Sequence, residues 1–206
     1  MPRIKWDVIG DLAARVFVGA LFALLSYNLF NDFIHTRRVT GLLFLTSEAL
    51  VVVLTIVRRR AQSVDRSLSS GFLTAVSLIG PPLMRAGNGA ALVPDWLTAI
   101  VSTIGVAIVI CGKLTIGRSF GIAPANRGVV ARGPYNVVRH PIYAGYLLTH
   151  AATLAAYPSL WNVGAVLAGD IALVLRALRE ERILSKDREY QSYCGRVAWH
   201  LVPGVY

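Results

Sequence analysis

The apolar residues of this 206-residue chain come in long blocks rather than in stripes, a pattern that excludes most water-soluble folds. A helix on a soluble core pairs an apolar stripe with a polar face, whereas a helix in lipid is apolar all round. Six blocks stand out: Val16 to Phe30, Val39 to Val57, Leu68 to Met84, Trp96 to Gly112, Pro141 to Tyr157 and Leu160 to Leu175. A mean hydropathy of +0.56 with 55% hydrophobic residues agrees with that reading. Crossing a hydrocarbon core of about 30 Å takes around 20 helical residues, so the shorter blocks must borrow flanking residues. Gly80-Pro81-Pro82 breaks the third block. No small-residue cleavage site follows the first block before Asn31-Asp32-Phe33, so it is expected to be retained rather than removed as a signal. The expected fold is an all-α integral membrane protein of about six transmembrane helices, with a C-terminal helical hairpin and a cytoplasmic amphipathic tail helix. Residues 1–112 would supply the first four helices, and 113–206 a loop, the hairpin and the tail, within one integrated domain.

Charge placement tests this map independently, because short cytoplasmic loops carry the excess of Lys and Arg. With both termini inside, the inside segments hold Arg3, Lys5 and Arg15; Arg58, Arg59, Arg60 and Arg66; Lys113, Arg118, Arg127, Arg132 and Arg139; and Arg176, Arg179, Arg182, Lys186, Arg188 and Arg196. The outside segments hold only Arg37, Arg38 and Arg85. That bias puts both termini and the polar 113–139 segment in the cytoplasm and suits a bacterial-type inner membrane, or another membrane with a cytoplasmic face. The net charge of +10 follows span ends instead of forming one basic stripe with interleaved aromatics, so membrane lipids are the expected partners and nucleic acid is not. Cys111 and Cys194 have no metal-like spacing, and neither a disulfide nor a metal site is expected. Trp6, Trp96, Tyr157 with Trp161, and Trp199 fall at span edges or on the tail, where amphipathic rings anchor at headgroup depth.

The connections differ in length. Tyr157-Pro158-Ser159-Leu160 allows only a tight turn, so the last two spans should form an antiparallel hairpin. Lys113 to Arg139 is the longest non-apolar stretch, punctuated by Gly117, Gly121, Pro124, Gly128, Gly133 and Pro134, and long loops in compact domains are often functional. Arg176 through Arg196 is densely charged with a narrow apolar face of Leu175, Leu178, Ile183 and Leu184, as expected of a helix continuing from the last span into water. No internal repeat divides the chain, and Gly87-Asn88-Gly89 is not followed by a strand–helix unit, so a dinucleotide fingerprint is missing.

The densest polar and aromatic patch is Gly133 to Gly145, immediately before an apolar run. Pro141 suits the first turn of a helix, where no donor is lost, and the N–H groups of such a start can hold a carboxylate. Arg139 and His140 precede it, Tyr135, Tyr143 and Tyr146 add rings, and Gly133 and Gly145 permit close backbone approach. In the tail, Arg176 and Glu180 share one helix face, with Glu181 adjacent. An arginine there presents a planar fork to a carboxylate, and a glutamate accepts bonds from an ammonium or ribose group.

The segments Arg127-Gly128-Val129-Val130, Gly133-Pro134-Tyr135, Arg139-His140-Pro141-Ile142-Tyr143 and Glu180-Glu181-Arg182-Ile183-Leu184, followed by Glu189-Tyr190-Gln191-Ser192-Tyr193 and Pro203, resemble the C-terminal half of a known family. That family is the isoprenylcysteine carboxyl methyltransferases, with their phospholipid methyltransferase relatives. The likeness spans about Gly117 to Pro203, and the family's His-x-Leu-Val segment is Arg127-Gly128-Val129-Val130 here. It implies a methyltransferase using S-adenosylmethionine, held in a cytoplasmic pocket between the loop, the hairpin and the tail helix. It also implies cofactor contacts from Arg127, Gly128, Val129, Val130, Tyr135, His140, Pro141, Ile142, Tyr143, Glu180 and Glu181. Arg176 would hold the substrate, and Arg176, Glu180 and Arg139 would act in catalysis. The implied acceptor is the carboxylate of a prenylated cysteine or a similar lipophilic molecule entering from the bilayer, with a lipid amine or small thiol as alternatives.

Methyl transfer from a sulfonium is an in-line displacement, so an ionised acceptor needs alignment and a water-poor site more than a strong base. Tyrosine faces suit the sulfonium by cation–π contact of about 0.5–2 kcal/mol. A reading from another class takes Glu48, His150 and Asp170, ionisable residues within the apolar blocks, as the polar pathway of a small transporter or lipid-binding protein. Outside that reading, Glu48 would face Asp170, a bundle interior or a lipid-entry cavity, or be a neutral acid hydrogen-bonded to a neighbouring span, and His150 is expected to be a packed histidine rather than a ligand.

Overall fold

A computed structural model describes residues 40–205, except 60, 62, 66, 81–82 and 86–89, together with a scatter of positions between 13 and 35. The continuity of the first apolar block, Trp6, the basic residues before position 40 and the side chain of Glu48 lie outside the described residues. The chain is mostly helical: α1 is Thr40–Val57, α2 Leu68–Ile79, α3 Asp95–Ile116, α4 Pro141–Ala156, α5 Leu160–Leu184 and α6 Arg188–Arg196. Two short strands, β1 at Ser63–Val64 and β2 at Ala125–Asn126, pair antiparallel with Ser63 opposite Asn126.

Local chemistry explains most helix ends. Pro94 and Asp95 open α3, where an acidic residue suits the positive helix start. Pro141 occupies the first turn of α4, as expected. The Ser159 side chain accepts from the Asn162 N–H and caps α5, which runs 25 residues without a break from the apolar Leu160 into the charged Leu184 end. The amphipathic continuation is interrupted at Ser185 to Asp187, where Asp187 caps a separate α6.

The segment that includes α3 with its following turn (Asp95–Ser119), and α5 (Leu160–Leu184), are long and apolar enough to cross a bilayer. The third block is not a full span. Its helix α2 has 12 residues, about 18 Å, against the ~30 Å of a hydrocarbon core. It stops at Ile79: Gly80 caps it with helical φ −49° and ψ −58°, and the next two residues in the sequence, Pro81 and Pro82, carry no N–H to continue the ladder.

Packing also departs from a simple hairpin. The tight turn after α4 is there, but α4 packs chiefly on α3, while α5 packs chiefly on α2. The α3–α4 contact is a glycine seam: a Cβ placed on Gly145 would lie 2.6 Å from the Gly105 carbonyl oxygen, and one on Gly112 would lie 2.7 Å from Ile142 Cγ1. Phe120 and Ile122 from the loop and Leu201 from the tail join Val109, Ile142, Tyr143 and Leu173 in the main core, so loop and tail are packed onto the helices. Asp170 pairs with His150, Nδ1 to Oδ1 at 2.6 Å, tying α5 to α4.

Candidate active site

The loop after α3 is shaped by its own polar side chains. Gly128, at φ 96°, occupies a conformation that L side chains rarely adopt, and its N–H donates to Asn126 Oδ1 at 2.9 Å. The Asn126 amide also donates to Asp187 Oδ2 at 2.9 Å, joining the loop to the cap of α6. Ser119 Oγ donates to the Arg127 carbonyl at 3.1 Å, and the Arg127 guanidinium lies against Gly121, in space that a side chain there would take. The N-terminal half braces this strip from outside: Arg59 N–H donates to the Arg118 carbonyl at 2.7 Å and Asp65 N–H to the Pro124 carbonyl at 3.1 Å.

At the start of α4, the N–H groups of Arg139 and His140 donate to the carbonyls of Trp199 and His200, each at 2.9 Å. The Arg139 guanidinium follows the same course: Nε donates to the Val197 carbonyl at 2.8 Å and NH2 to the Cys194 carbonyl at 3.4 Å, closing the end of α6. Glu181 is the centre of this clamp. Its Oε1 accepts from His140 Nε2 at 2.9 Å and from His200 Nδ1 at 2.7 Å, while Oε2 takes Arg139 NH1 at 3.5 Å.

On the other side of the His140 and Tyr143 rings, which stack at 5.4 Å, Tyr143 Oη donates to Glu180 Oε2 at 2.9 Å. The Arg176 guanidinium lies 5.4 Å from the Tyr143 ring centroid. Its NH1 donates to Ser77 Oγ at 3.4 Å and NH2 to the Gly121 carbonyl at 3.3 Å. Arg176 is 6% exposed, and among the described residues no carboxylate pairs with it and its Nε has no partner. A buried cation in that condition carries a large desolvation cost until an anion arrives.

These walls enclose a cleft open on one side, with about 750 Å³ of space between them when the solvent at its mouth is included. Of the residues singled out from the sequence, Arg127, Gly128, Val129, Val130, Tyr135, Arg139, His140, Ile142, Tyr143, Arg176 and Glu180 line it. Pro141 and Glu181 do not: Pro141 opens the helix behind the wall, and Glu181 turns to the His140–His200 clamp. Arg139 reaches the cleft edge with its donors engaged by the tail, a positioning geometry rather than that of a free catalytic cation.

Phe120, Gly121, Leu184, Tyr190 and Tyr193 also line the cleft, although the sequence assigns none of them a role in the site. The i, i+3 spacing of the two tyrosines, on one face of a short polar helix, was the available signal. Burial, then the Glu180 charge, pushes the Tyr135 phenol well above its usual range, and burial pushes Tyr193 up to about 12. Both hydroxyls therefore stay neutral.

Residues 97–190, which supply most of these walls, match the family model described as phospholipid methyltransferase. No curated protein matches the chain. The stretch that builds the cleft thus belongs to the phospholipid methyltransferase family, a family of membrane methyltransferases.

Proposed function

We propose that the cleft binds S-adenosylmethionine beside the membrane and transfers its methyl group to a lipophilic acceptor that carries an anion. What supports the reading is one observation: the family-matched residues Tyr135, His140, Tyr143 and Glu180 line a single cleft with the buried Arg176, which pairs with no carboxylate among the described residues. The residues fit the cofactor's chemistry. Glu180 offers a carboxylate to an ammonium, the Tyr143 and Tyr135 rings offer faces to a sulfonium, and two residues lining the cleft, Arg176 and Tyr190, each hold a buried polar atom, Nε and Oη, with no partner among the described residues. When bound, the sulfonium supplies an electrophilic methyl group. The protein's share is placement: the glycine seam fixes Tyr143, Ser77 and the Gly121 carbonyl hold the Arg176 fork, and the apolar walls exclude water.

The acceptor that makes fullest use of Arg176 is the carboxylate of a prenylated cysteine, held bidentately. The family description favours a second reading, a phospholipid amine whose phosphodiester takes the arginine. Both termini and the cleft would lie on the cytoplasmic face, in a bacterial-type inner membrane. The test is titration calorimetry of S-adenosylmethionine on detergent-purified protein, followed by radiolabelled methyl transfer to prenyl-cysteine, phospholipid and thiol acceptors. Glu180→Ala should weaken cofactor binding, and Arg176→Ala should raise the acceptor KM far more than the cofactor KM. Folded wild type that binds no cofactor, or that carries solute flux in proteoliposomes without methyl transfer, would overturn the proposal.

A further inference from the structure

The two halves of the cleft are anchored to different neighbours. Tyr135, His140 and Tyr143 lie on or just before α4, which packs chiefly on α3, whereas Arg176 and Glu180 lie on α5, which packs chiefly on α2. Helix packing alone therefore leaves open how far α5 stands along α4, and that register sets the distance from Arg176 to Tyr143. Polar side chains bridge the two helices. Glu181 takes His140 at the start of α4, Glu180 takes Tyr143 one turn on, and Asp170 takes His150 deep in the apolar part, at 2.9, 2.9 and 2.6 Å. His140 and His150 are ten residues apart, Asp170 and Glu181 eleven, or about 15 and 16.5 Å of helix. The two histidine–carboxylate pairs thus fit one antiparallel register, and Arg176 falls almost midway, five residues from Glu181 and six from Asp170.

His150 and Asp170 do not line the cleft. Their side chains are 6% and 19% exposed, and Met84, Ala165, Val166 and Gly169 surround the space beside His150. In such surroundings a made bond is strong and a broken one leaves a carboxylate bare, so a slip of one turn, about 5.4 Å, is resisted. Apolar side chains of similar size pack as stably but tolerate neighbouring registers, as when a single buried polar residue fixes the alignment of a coiled coil. We propose that His150 and Asp170 are positioning residues for methyl transfer: their bond sets the register of α5 against α4 and holds Arg176, with the acceptor it carries, in line with the methyl donor. This rests on the methyl-donor reading above and adds to it a pair that touches neither ligand. Glu180 adjoins the Glu181 clamp and keeps its place without the inner pair. Arg176, further along α5, does not, and a displacement of about 1 Å can cost about 100-fold in rate.

The decisive variant is His150→Phe/Asp170→Leu in the full chain. Its thermal midpoint in detergent should equal or exceed that of wild type, and by calorimetry S-adenosylmethionine should bind within about twofold. Its kcat/KM for radiolabelled methyl transfer to prenyl-cysteine or phospholipid should fall by about tenfold or more. Asp170→Asn, which keeps an oxygen for the His150 ring, should stay within about threefold of wild type. Spin labels at the exposed Val137 and Leu167, on a protein freed of Cys111 and Cys194, read the register directly. Wild type and Asp170→Asn should give one narrow distance distribution, and the double variant a broader or shifted one. His150→Phe alone, which keeps a ring beside Tyr146, gives the same readouts should the double variant not fold. A bond-free variant as active as wild type, or one with an unchanged distance distribution, overturns the proposal. A broadened distribution in a series whose folded wild type gives no heat with S-adenosylmethionine removes the methyl-donor reading and upholds the register, so the two failures are distinguishable.

Discussion

Gly145→Ala probes the contact on which the placement of α4 depends. The new Cβ would lie 2.6 Å from the Gly105 carbonyl oxygen, 2.7 Å from Val109 Cγ2 and 3.0 Å from Val109 N. Two of these neighbours are backbone atoms of α3, which no side-chain rotation relieves. Non-bonded carbons rest about 3.5–4.0 Å apart, so α3 and α4 must separate by roughly 1 Å at this level. Overpacking of that kind costs about 1–3 kcal/mol. At about 2–4 °C per kcal/mol for a chain of this size, the thermal midpoint in detergent should fall by roughly 2–12 °C. Gly164→Ala is the matched control, because a Cβ at this α5 position meets nothing within 4 Å. There alanine should be neutral or stabilising by up to about 1 kcal/mol. Tyr143 and Ile142 stand in the same turns of α4 as Gly145, so Gly145→Ala should also weaken calorimetric cofactor binding while Gly164→Ala leaves it intact. A Gly145→Ala protein as stable as the Gly164→Ala protein would refute the claim that backbone contact across this seam sets the helix spacing.

Two further outcomes follow from the clamp and the tyrosine pair. Glu181→Gln removes the charge that gathers His140, His200 and Arg139; it should destabilise by about 1–3 kcal/mol and speed proteolysis within 194–205, and unchanged protease resistance would count against the clamp. Tyr193 loses its proton near pH 10 when unfolded but is pushed up to about 12 when folded, so its contribution is complete below about pH 10 and is lost as pH climbs toward 12; Tyr193→Phe should cost about 1 kcal/mol at neutral pH and flatten that alkaline slope in chemical denaturation.

What the sequence disclosed is what repeats or clusters along it. The segment around α3 and the helix α5 were legible because an uninterrupted apolar run has few other solutions, and α4 because Pro141 marks its first turn. The cleft residues from Arg127 to Tyr143 were legible because they are close in sequence. The contacts that complete the site join distant positions and leave no periodic trace: Ser77 to Arg176, Glu181 to His200, and a two-residue strand at Ser63 that meets Asn126. Glu181 shows the difficulty, because an acid beside Glu180 on a polar helix reads as another cleft residue until His200 is brought to it. Asp170 is legible in the sequence only as an ionisable residue within an apolar block, and the approach of α4 to α5 brings it to His150.

The antiparallel pairing of Ser63–Val64 with Ala125–Asn126 matters most to anyone who would graft this site elsewhere. The family-matched stretch, 97–190, begins after that strand, after the Arg59 and Asp65 braces and after Ser77. It ends before Tyr193, Trp199 and His200. A transplant cut at the family's borders would carry the motif into a new host with its floor unpropped and its gatepost untied. A portable unit has to reach back at least to α1, whose Val51 and Leu54 share the core with Val109, Ile142 and Tyr143, and forward to Leu201, borders set by packing and backbone hydrogen bonds rather than by sequence similarity.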